Sequence, residues 1–205
     1  MIPEFKKRTP ALGIMQNSAF ASFVTAIHPV RSQVIDYINA NSYTQKVKRG
    51  SFLLSPGEIC NHVYLINKGL LRAFIVEDGK ELTSWINNEN QIVTSIRGLS
   101  GKRPSLEYIQ ALEDCTLTCA SYDSLLYLYA NFSEMNTVGR LLLEAYYIEA
   151  EERAYICRIP SAEKRYRHFI ATRTELTNRV PLKYVASYLG MTVETISRIR
   201  GRKSI

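Results

Sequence analysis

The most informative pattern in the chain lies near its C-terminal end and reads Val185-Ala186-Ser187-Tyr188-Leu189-Gly190-Met191-Thr192-Val193-Glu194-Thr195-Ile196-Ser197-Arg198-Ile199. Its apolar residues fall at helical spacing on both sides of Gly190, and glycine readily adopts the positive φ that a tight turn between two helices needs. Thr192 is a good N-cap for a second helix from Val193 to Arg202, and Pro181 suits the first turn of the preceding helix. The pattern predicts a helix-turn-helix.

The second helix of this motif carries hydrogen-bond donors on its outward face. They are Thr195, Ser197, Arg198, Arg200, Arg202 and Lys203. Such side chains can donate to phosphate oxygens and to guanine edges in a DNA groove. An ordinary hairpin of two helices is the structural alternative, and it would leave this row of donors without a role.

The positive charge of the chain is concentrated around this motif. Residues 158–205 contain eleven lysines and arginines against three acidic residues, whereas the preceding 157 residues carry fifteen basic and sixteen acidic ones. A basic module attached to a neutral body is typical of phosphate-binding proteins. A solvated basic helical surface is the alternative explanation.

The central part of the chain has the pattern of a β-barrel. Residues 43–121 contain at least seven short β-leaning runs separated by turn residues, including a hairpin at Asp78-Gly79. Short, evenly spaced strands of this kind predict a sandwich or barrel of the jelly-roll type, preceded by an amphipathic segment at about residues 17–41.

A long helix is predicted from about Ser133 to Cys157, because this segment contains no proline and only one glycine, Gly139. Its apolar stripe can lie on the barrel or pair with a second copy, and the length of the helix favours pairing. The residues assigned to dimerisation are Val138, Leu141, Leu142, Ala145, Ile148 and Tyr155. The chain is thus predicted to be an α+β protein with a jelly-roll barrel (residues 1–131), a dimerisation helix (residues 132–158) and a helix-turn-helix domain (residues 159–205).

This order of elements resembles the CRP/FNR family of bacterial transcription regulators. The most specific part of the resemblance is the stretch of residues 185–199 quoted above, and residues 63–69, Val-Tyr-Leu-Ile-Asn-Lys-Gly, resemble a turn of the family's barrel. The resemblance implies a homodimer that reads a near-palindromic site on double-stranded DNA, with half-sites about one helical turn apart, and that contacts RNA polymerase. For the polymerase contact, residues 173–175 are a candidate.

The resemblance also assigns roles along the second helix. Glu194 and Arg198 match the family's base-reading pair, in which arginine recognises guanine and the carboxylate accepts from cytosine. Thr192, Thr195, Ser197, Arg200 and Lys203 are assigned to phosphate contacts. Val193 stands where the family often has arginine, so the consensus site of the family is not expected to apply unchanged.

The effector motif of the cyclic-nucleotide-binding members is not matched. Ser105-Leu106 stands where these members have an Arg-Ser pair, and Val93-Thr94-Ser95 stands near the position of a Gly-Glu pair. A buried phosphate without a guanidinium would be poorly compensated, so cyclic AMP is not expected to bind. No haem, iron–sulfur or metal signature is found in the sequence, and the effector is left unknown.

Other classes of protein fit the sequence less well. A cupin-like barrel that binds a small molecule, with an incidental basic tail, stays open as an alternative, although His62 is the only histidine in the strand region. Four scattered cysteines are expected to be buried or half-buried thiols. With neither a signal peptide nor a membrane span expected, the chain is predicted to be a cytoplasmic non-enzyme.

Overall fold

Eight short strands form the centre of the molecule, in a computed structural model that describes residues 17–201. Their bounds are β1 (Ser42–Val47), β2 (Phe52–Leu54), β3 (His62–Lys68), β4 (Leu71–Glu77), β5 (Lys80–Asn87), β6 (Ile92–Val93), β7 (Tyr108–Ala111) and β8 (Cys115–Ser121). They build two four-stranded antiparallel sheets, in the orders β1-β8-β3-β6 and β2-β7-β4-β5. The predicted jelly-roll barrel and the α+β class are confirmed.

The barrel interior is filled by the inward side chains of both sheets. Alternate residues of β4 show the principle: Leu71 and Ala73 are fully buried between the sheets, while Arg72 points to the outer face. The β4–β5 hairpin turns at Asp78 and Gly79, both at positive φ (49° and 73°), as a two-residue turn between twisted strands requires.

Eight α-helices and one 3-10 helix (Thr174–Leu176) surround the barrel within the described range. Their bounds are α1 (Ala19–Ile27), α2 (Ser32–Asn41), α3 (Ile96–Leu99), α4 (Tyr122–Asn131), α5 (Ser133–Arg158), α6 (Ala162–Thr172), α7 (Leu182–Tyr188) and α8 (Val193–Gly201). The helices α1, α2, α4 and the first half of α5 pack with the outer side chains of β3 in one apolar cluster. None of the helices in residues 17–201 is long and apolar enough to cross a membrane.

The long helix α5 has the predicted extent within one residue at its C-terminal end. Its single internal glycine, Gly139, is buried, and a Cβ at this position would lie 2.8 Å from the hydroxyl of Tyr129. Glycine therefore allows α4 and α5 to approach closely. The helix stops before Pro160, and the Ser161 side chain accepts a hydrogen bond from the Lys164 amide to cap α6.

The C-terminal helices share a core with the barrel. Side chains of α6, α7 and α8, among them Phe169, Val185 and Ile196, form one cluster with Leu70, Ile86 and Leu112 of the barrel. The segment predicted as a separate domain is therefore packed on the barrel and not suspended from the end of α5.

Three local expectations differ from the structure. One of the β-leaning runs within residues 43–121, that of residues 92–96, was expected to be a strand throughout but ends at Val93, because residues 96–99 turn into α3 and bury Leu99. The helix α4 was not expected at all. Of the four thiols, Cys60, Cys115 and Cys119 are buried, whereas Cys157 is exposed on α5.

Candidate nucleic-acid interface

The two helices α7 and α8 form the predicted helix-turn-helix. Gly190 adopts a φ of +61° in the turn, and the Met191 amide donates to the Ala186 carbonyl oxygen at 3.0 Å. The side chain of Thr192 accepts from the Thr195 amide at 3.2 Å and so caps α8. Ala186 and Ile196 are buried where the helices meet, which fixes the angle at which α8 leaves the turn.

The outward face of α8 presents Glu194, Ser197 and Arg198, which are all exposed. Among the hydrogen bonds of the described residues, none uses the side chain of Ser197 or Arg198. The pKa of Glu194 is lowered by a hydrogen bond from its own backbone amide and by one from the Thr192 side chain, so its carboxylate stays ionised at neutral pH. Glu194 and Arg198 are four residues apart, and the helical period places them on one face.

The other residues assigned to DNA contacts already have partners within the chain. Thr192 and Thr195 face each other with their hydroxyl oxygens 3.1 Å apart. The Nε of Arg200 donates to the hydroxyl of the buried Tyr166 at 2.7 Å, which ties α8 to α6. Lys203 and Arg202 lie outside the described residues. The structure thus brings Glu194, Ser197 and Arg198 together as an exposed polar row, and it gives Arg200 a hydrogen bond to Tyr166 within the chain.

Three polar contacts that the sequence did not indicate fix the motif on the barrel. The Ser187 hydroxyl of α7 accepts from the Thr83 amide at 2.9 Å and donates to the Glu81 carbonyl oxygen at 2.6 Å, both on β5. Arg179, just before α7, donates to the carboxylates of Glu89 and Glu113 at 2.8–3.1 Å.

The third contact is made by Arg72, whose side chain is 1% exposed. Its guanidinium lies between two aromatic rings, 4.0 Å from the centre of Phe74 and 3.7 Å from that of Tyr184 on α7. Nη2 of the same guanidinium donates to Glu81 at 2.6 Å and to Gln110 at 2.7 Å. A buried guanidinium needs hydrogen-bond acceptors and aromatic rings around it. Because one of these rings is Tyr184 of α7, the contact holds α7 against the barrel.

The side chains assigned to dimerisation divide between two faces of α5. Ile148 and Tyr155 are 64% and 61% exposed, Ala145 is exposed and Leu141 is half-buried. In contrast, Val138 is 1% exposed and Leu142 packs in the cluster with α1 and α4, so the structure gives these two a packing role within the chain.

Glu152, which interrupts the apolar stripe of α5, contacts the C-terminal helical segment. Its carboxylate lies 3.1 Å from Nε2 of His168 on α6, and the His168 ring lies edge-on to Tyr155 with the ring centres 6.2 Å apart. The polar residue in the stripe therefore has a partner in α6.

The region of the barrel that binds phosphate in cyclic-nucleotide receptors holds no guanidinium in register. The side chain of Ser105 is buried and donates to the Glu107 carbonyl oxygen at 2.9 Å, and Leu106 is 60% exposed. Arg103 is exposed. A phosphate at this position would therefore meet only the hydroxyl of Ser105, which already donates to the Glu107 carbonyl oxygen.

Comparison with known proteins shows what the barrel region is similar to. Residues 44–132 match the family model described as the cyclic nucleotide-binding domain. The anaerobic regulatory protein of Haemophilus influenzae is 28% identical over 171 residues, which is 76% of this chain. The chain spans 65% of the length of that relative.

Solved structures agree at the level of the fold. FixK2 from Bradyrhizobium japonicum superposes with a TM-score of 0.68 at 16% identity, over 78% of this chain and 83% of that one. A protein from Eubacterium rectale assigned to the CRP/FNR transcriptional regulators gives a TM-score of 0.66 at 20% identity, over 83% of this chain and 82% of that one. The resemblance inferred from the sequence is confirmed for the fold.

Proposed function

We propose that this chain, which contains a cyclic nucleotide-binding domain and has the fold of the CRP/FNR regulators, is a DNA-binding transcription regulator. The observation that carries the proposal is the row of Glu194, Ser197 and Arg198 on the exposed face of α8. In a helix-turn-helix the second helix enters the major groove, where arginine pairs with guanine and a carboxylate accepts from cytosine. The basic end of the chain adds attraction to phosphates.

The active form in this proposal is a homodimer. A stripe along α5 is formed by the half-buried Leu141 and the exposed Ala145, Ile148 and Tyr155. Successive members of this stripe are four, three and seven residues apart. Apolar side chains at this spacing pair with a second helix of the same kind. Two α8 helices related by a twofold axis would read a near-palindromic site with half-sites about one helical turn apart.

The barrel serves as the sensor in this account, and its effector is not cyclic AMP. The occupied hydroxyl of Ser105 and the absence of a guanidinium in register, in this part of the described chain, support that assignment. RNA polymerase is the further partner proposed, with Thr174 and Glu175 exposed as candidate contacts. We place this activity in the bacterial cytoplasm.

The cupin-like alternative with an incidental tail is less well supported. An incidental tail would not share a core with the barrel, whereas Leu70, Ile86 and Leu112 are buried against the C-terminal helices. His62, the histidine that a metal site would use, lies at the start of β3 beside the rings of Tyr43 and Tyr64. This histidine therefore has an aromatic environment and not one of carboxylates.

The proposal is tested by titrating a fluorescently labelled duplex of random sequence with the purified chain at low and at physiological salt. We expect binding at low salt that weakens steeply as salt is raised, because phosphate contacts release counterions. Arg140→Ala is the control variant and should bind duplex like the unaltered chain, since this exposed arginine of α5 pairs with Glu144 away from α8. A chain that binds no duplex at low salt would contradict the proposal.

A further inference from the structure

A large cavity lies outside the barrel, between the outer face of the sheet β1-β8-β3-β6 and the helices α1, α2, α4 and α5. Its volume is about 780 Å³. The barrel interior is packed with side chains, and Val93 and Trp85 border both this interior and the cavity. Ligand pockets in proteins are typically of ~300–1,000 Å³, so the cavity is large enough for a small organic molecule.

The walls of this cavity are aliphatic and aromatic. Most of the surrounding elements supply an apolar side chain, including Val24 of α1, Ile38 of α2, Leu128 of α4, Tyr146 of α5 and Val63 of β3. A cavity with such walls holds water poorly and favours an apolar occupant.

One end of the cavity is charged. Glu149 and Arg153 of α5 line it there, and Nη1 of Arg153 is 3.7 Å from Oε2 of Glu149. Nη2 of Arg173, which follows α6, is also 3.7 Å from this oxygen. Oε2 of Glu149 is buried and makes no hydrogen bond to the described residues. Glu149 and Arg153 are the charged residues that line this end, and at 3.7 Å their contact leaves the guanidinium of Arg153 with unused hydrogen-bond donors.

A second copy of the chain is not the occupant that the helix geometry favours. The cavity is lined by Val138, Leu142, Tyr146 and Arg153, whereas the stripe proposed for dimerisation contains Ala145 and Ile148. At 3.6 residues per turn Tyr146 and Arg153 lie on the side of α5 opposite Ile148, whereas Val138 and Ala145, which are seven residues apart, lie on nearly the same side. Pairing through the stripe therefore leaves the end of the cavity at Tyr146 and Arg153 accessible.

We propose that this cavity binds an amphipathic monoanion, a carboxylate on an apolar chain or ring system, with its carboxylate at Arg153. The apolar body lies between α1, α4 and the sheet, where its burial drives binding, and the guanidinium supplies a charge-assisted hydrogen bond. As the effector of the regulator, a role that rests on the proposed function, the ligand competes with Glu149 for Arg153. The competition changes the contact of Glu149 with Arg173 and so reaches the DNA-binding segment.

The test uses Trp85, which is the single tryptophan of the chain and lines the cavity. The fluorescence of the full chain is titrated with dodecanoate below its micelle concentration, and with dodecan-1-ol as the uncharged match. We expect a saturable change with one dodecanoate per chain, and about tenfold weaker binding of the alcohol.

Two variants locate the carboxylate. Arg153→Gln should weaken dodecanoate binding about tenfold and leave the affinity for dodecan-1-ol unchanged, because only the charged contact is lost. Arg140→Gln, which removes an exposed arginine on another part of α5, should bind both molecules like the unaltered chain.

Three results would overturn the inference. The first is that the Trp85 fluorescence shows no saturable change with dodecanoate, and the second is that the unaltered chain binds dodecanoate and dodecan-1-ol with equal affinity. The third is that the Trp85 fluorescence changes with protein concentration in the absence of ligand. The last would mean that a second copy covers the cavity.

Duplex binding of the same preparations separates this inference from the proposed function. A chain that binds duplex but not dodecanoate contradicts the inference alone. One that binds dodecanoate through Arg153 but no duplex supports the site and contradicts the regulator.

Discussion

Arg179 donates one hydrogen bond to each carboxylate oxygen of Glu89, both at 2.8 Å. This pair joins the residue that precedes the helix-turn-helix to the loop after β5, and Glu113 adds a second carboxylate on the same guanidinium. The two residues are ninety positions apart in sequence, so the pair is a tertiary contact that holds the C-terminal helices on the barrel.

The Arg179–Glu89 pair should make stability depend on acid. The guanidinium of Arg179, together with the Gly69 amide, lowers the pKa of Glu89 from its usual 4.5 to about 2. A depressed pKa contributes stability above about pH 4.5, and this contribution is lost as the pH falls towards 2. We expect Arg179→Gln to lower Tm at pH 7 by roughly 2–8 °C, corresponding to about 1–2 kcal/mol for a pair that is screened by partial exposure.

The pH profile distinguishes this effect from general damage. Thermal unfolding followed by circular dichroism between pH 7 and pH 2 should show the difference between Arg179→Gln and the unaltered chain shrinking as Glu89 is protonated. A difference in Tm that stays constant down to pH 2 would contradict the assignment. Arg140→Gln, which breaks an exposed pair with Glu144, should change Tm little at any pH.

Ser187→Ala should destabilise the packing of α7 on β5. The substitution leaves the Thr83 amide and the Glu81 carbonyl oxygen without the hydroxyl that they share, at a cost of about 1–3 kcal/mol for a partly buried donor. Urea unfolding measures this cost, and hydrogen exchange at the Thr83 amide locates it. Ser197→Ala on the exposed face of α8 is the control. Equal stabilities for the two variants would mean that the Ser187 contacts contribute nothing.

Exposed positions on α5 should differ in their effect on assembly. Ile148 and Leu143 are almost equally exposed, at 64% and 65%, but only Ile148 belongs to the stripe proposed for pairing. We expect Ile148→Asp to yield monomers in sedimentation equilibrium, because it places a charge in an apolar seam. Leu143→Asp should stay dimeric. If both variants are monomeric, or if neither is, the dimer contact does not lie along the proposed stripe.

Two arginines of α8 should give opposite phenotypes. Arg198→Ala should keep the Tm and lose about 1–3 kcal/mol of affinity for a selected site, since its guanidinium is free to reach a guanine. Arg200→Ala should lower the Tm, because it removes the donor to the hydroxyl of Tyr166. Thermal unfolding and duplex titration on both variants decide the assignment, which fails if Arg198→Ala binds the selected site with unchanged affinity.

The parts of the fold that local sequence specifies could be predicted. The turn at Gly190, the cap at Thr192 and the hairpin at Asp78-Gly79 depend on neighbouring residues alone, and the strands follow from short runs between turns. Helix α4 was missed because its many tyrosines and leucines suit a strand equally well. The sequence did indicate where α4 begins, because Ser121 is a good N-cap residue and Asp123 follows in the first turn. In the structure the Ser121 side chain accepts from the Ser124 amide.

The parts that depend on tertiary packing could not be predicted. Nothing near Ser187 indicates that its hydroxyl meets β5, which is more than a hundred residues away in sequence. Val138 satisfies the apolar spacing of a dimer stripe as well as that of a core position, and only the placement of α1 and α4 decides between them. The same reason applies to Arg200, whose partner Tyr166 lies on another helix.

The most direct test of the account is selection of bound duplexes from a random pool, followed by sequencing. The account predicts an inverted repeat with half-sites centred about one helical turn apart, and guanine or cytosine preferences that relax when Arg198→Ala and Glu194→Ala replace the unaltered chain. A pool that stays random after repeated rounds, or an enriched site with a single half and no symmetry, would contradict a dimer that inserts two copies of α8 into the major groove.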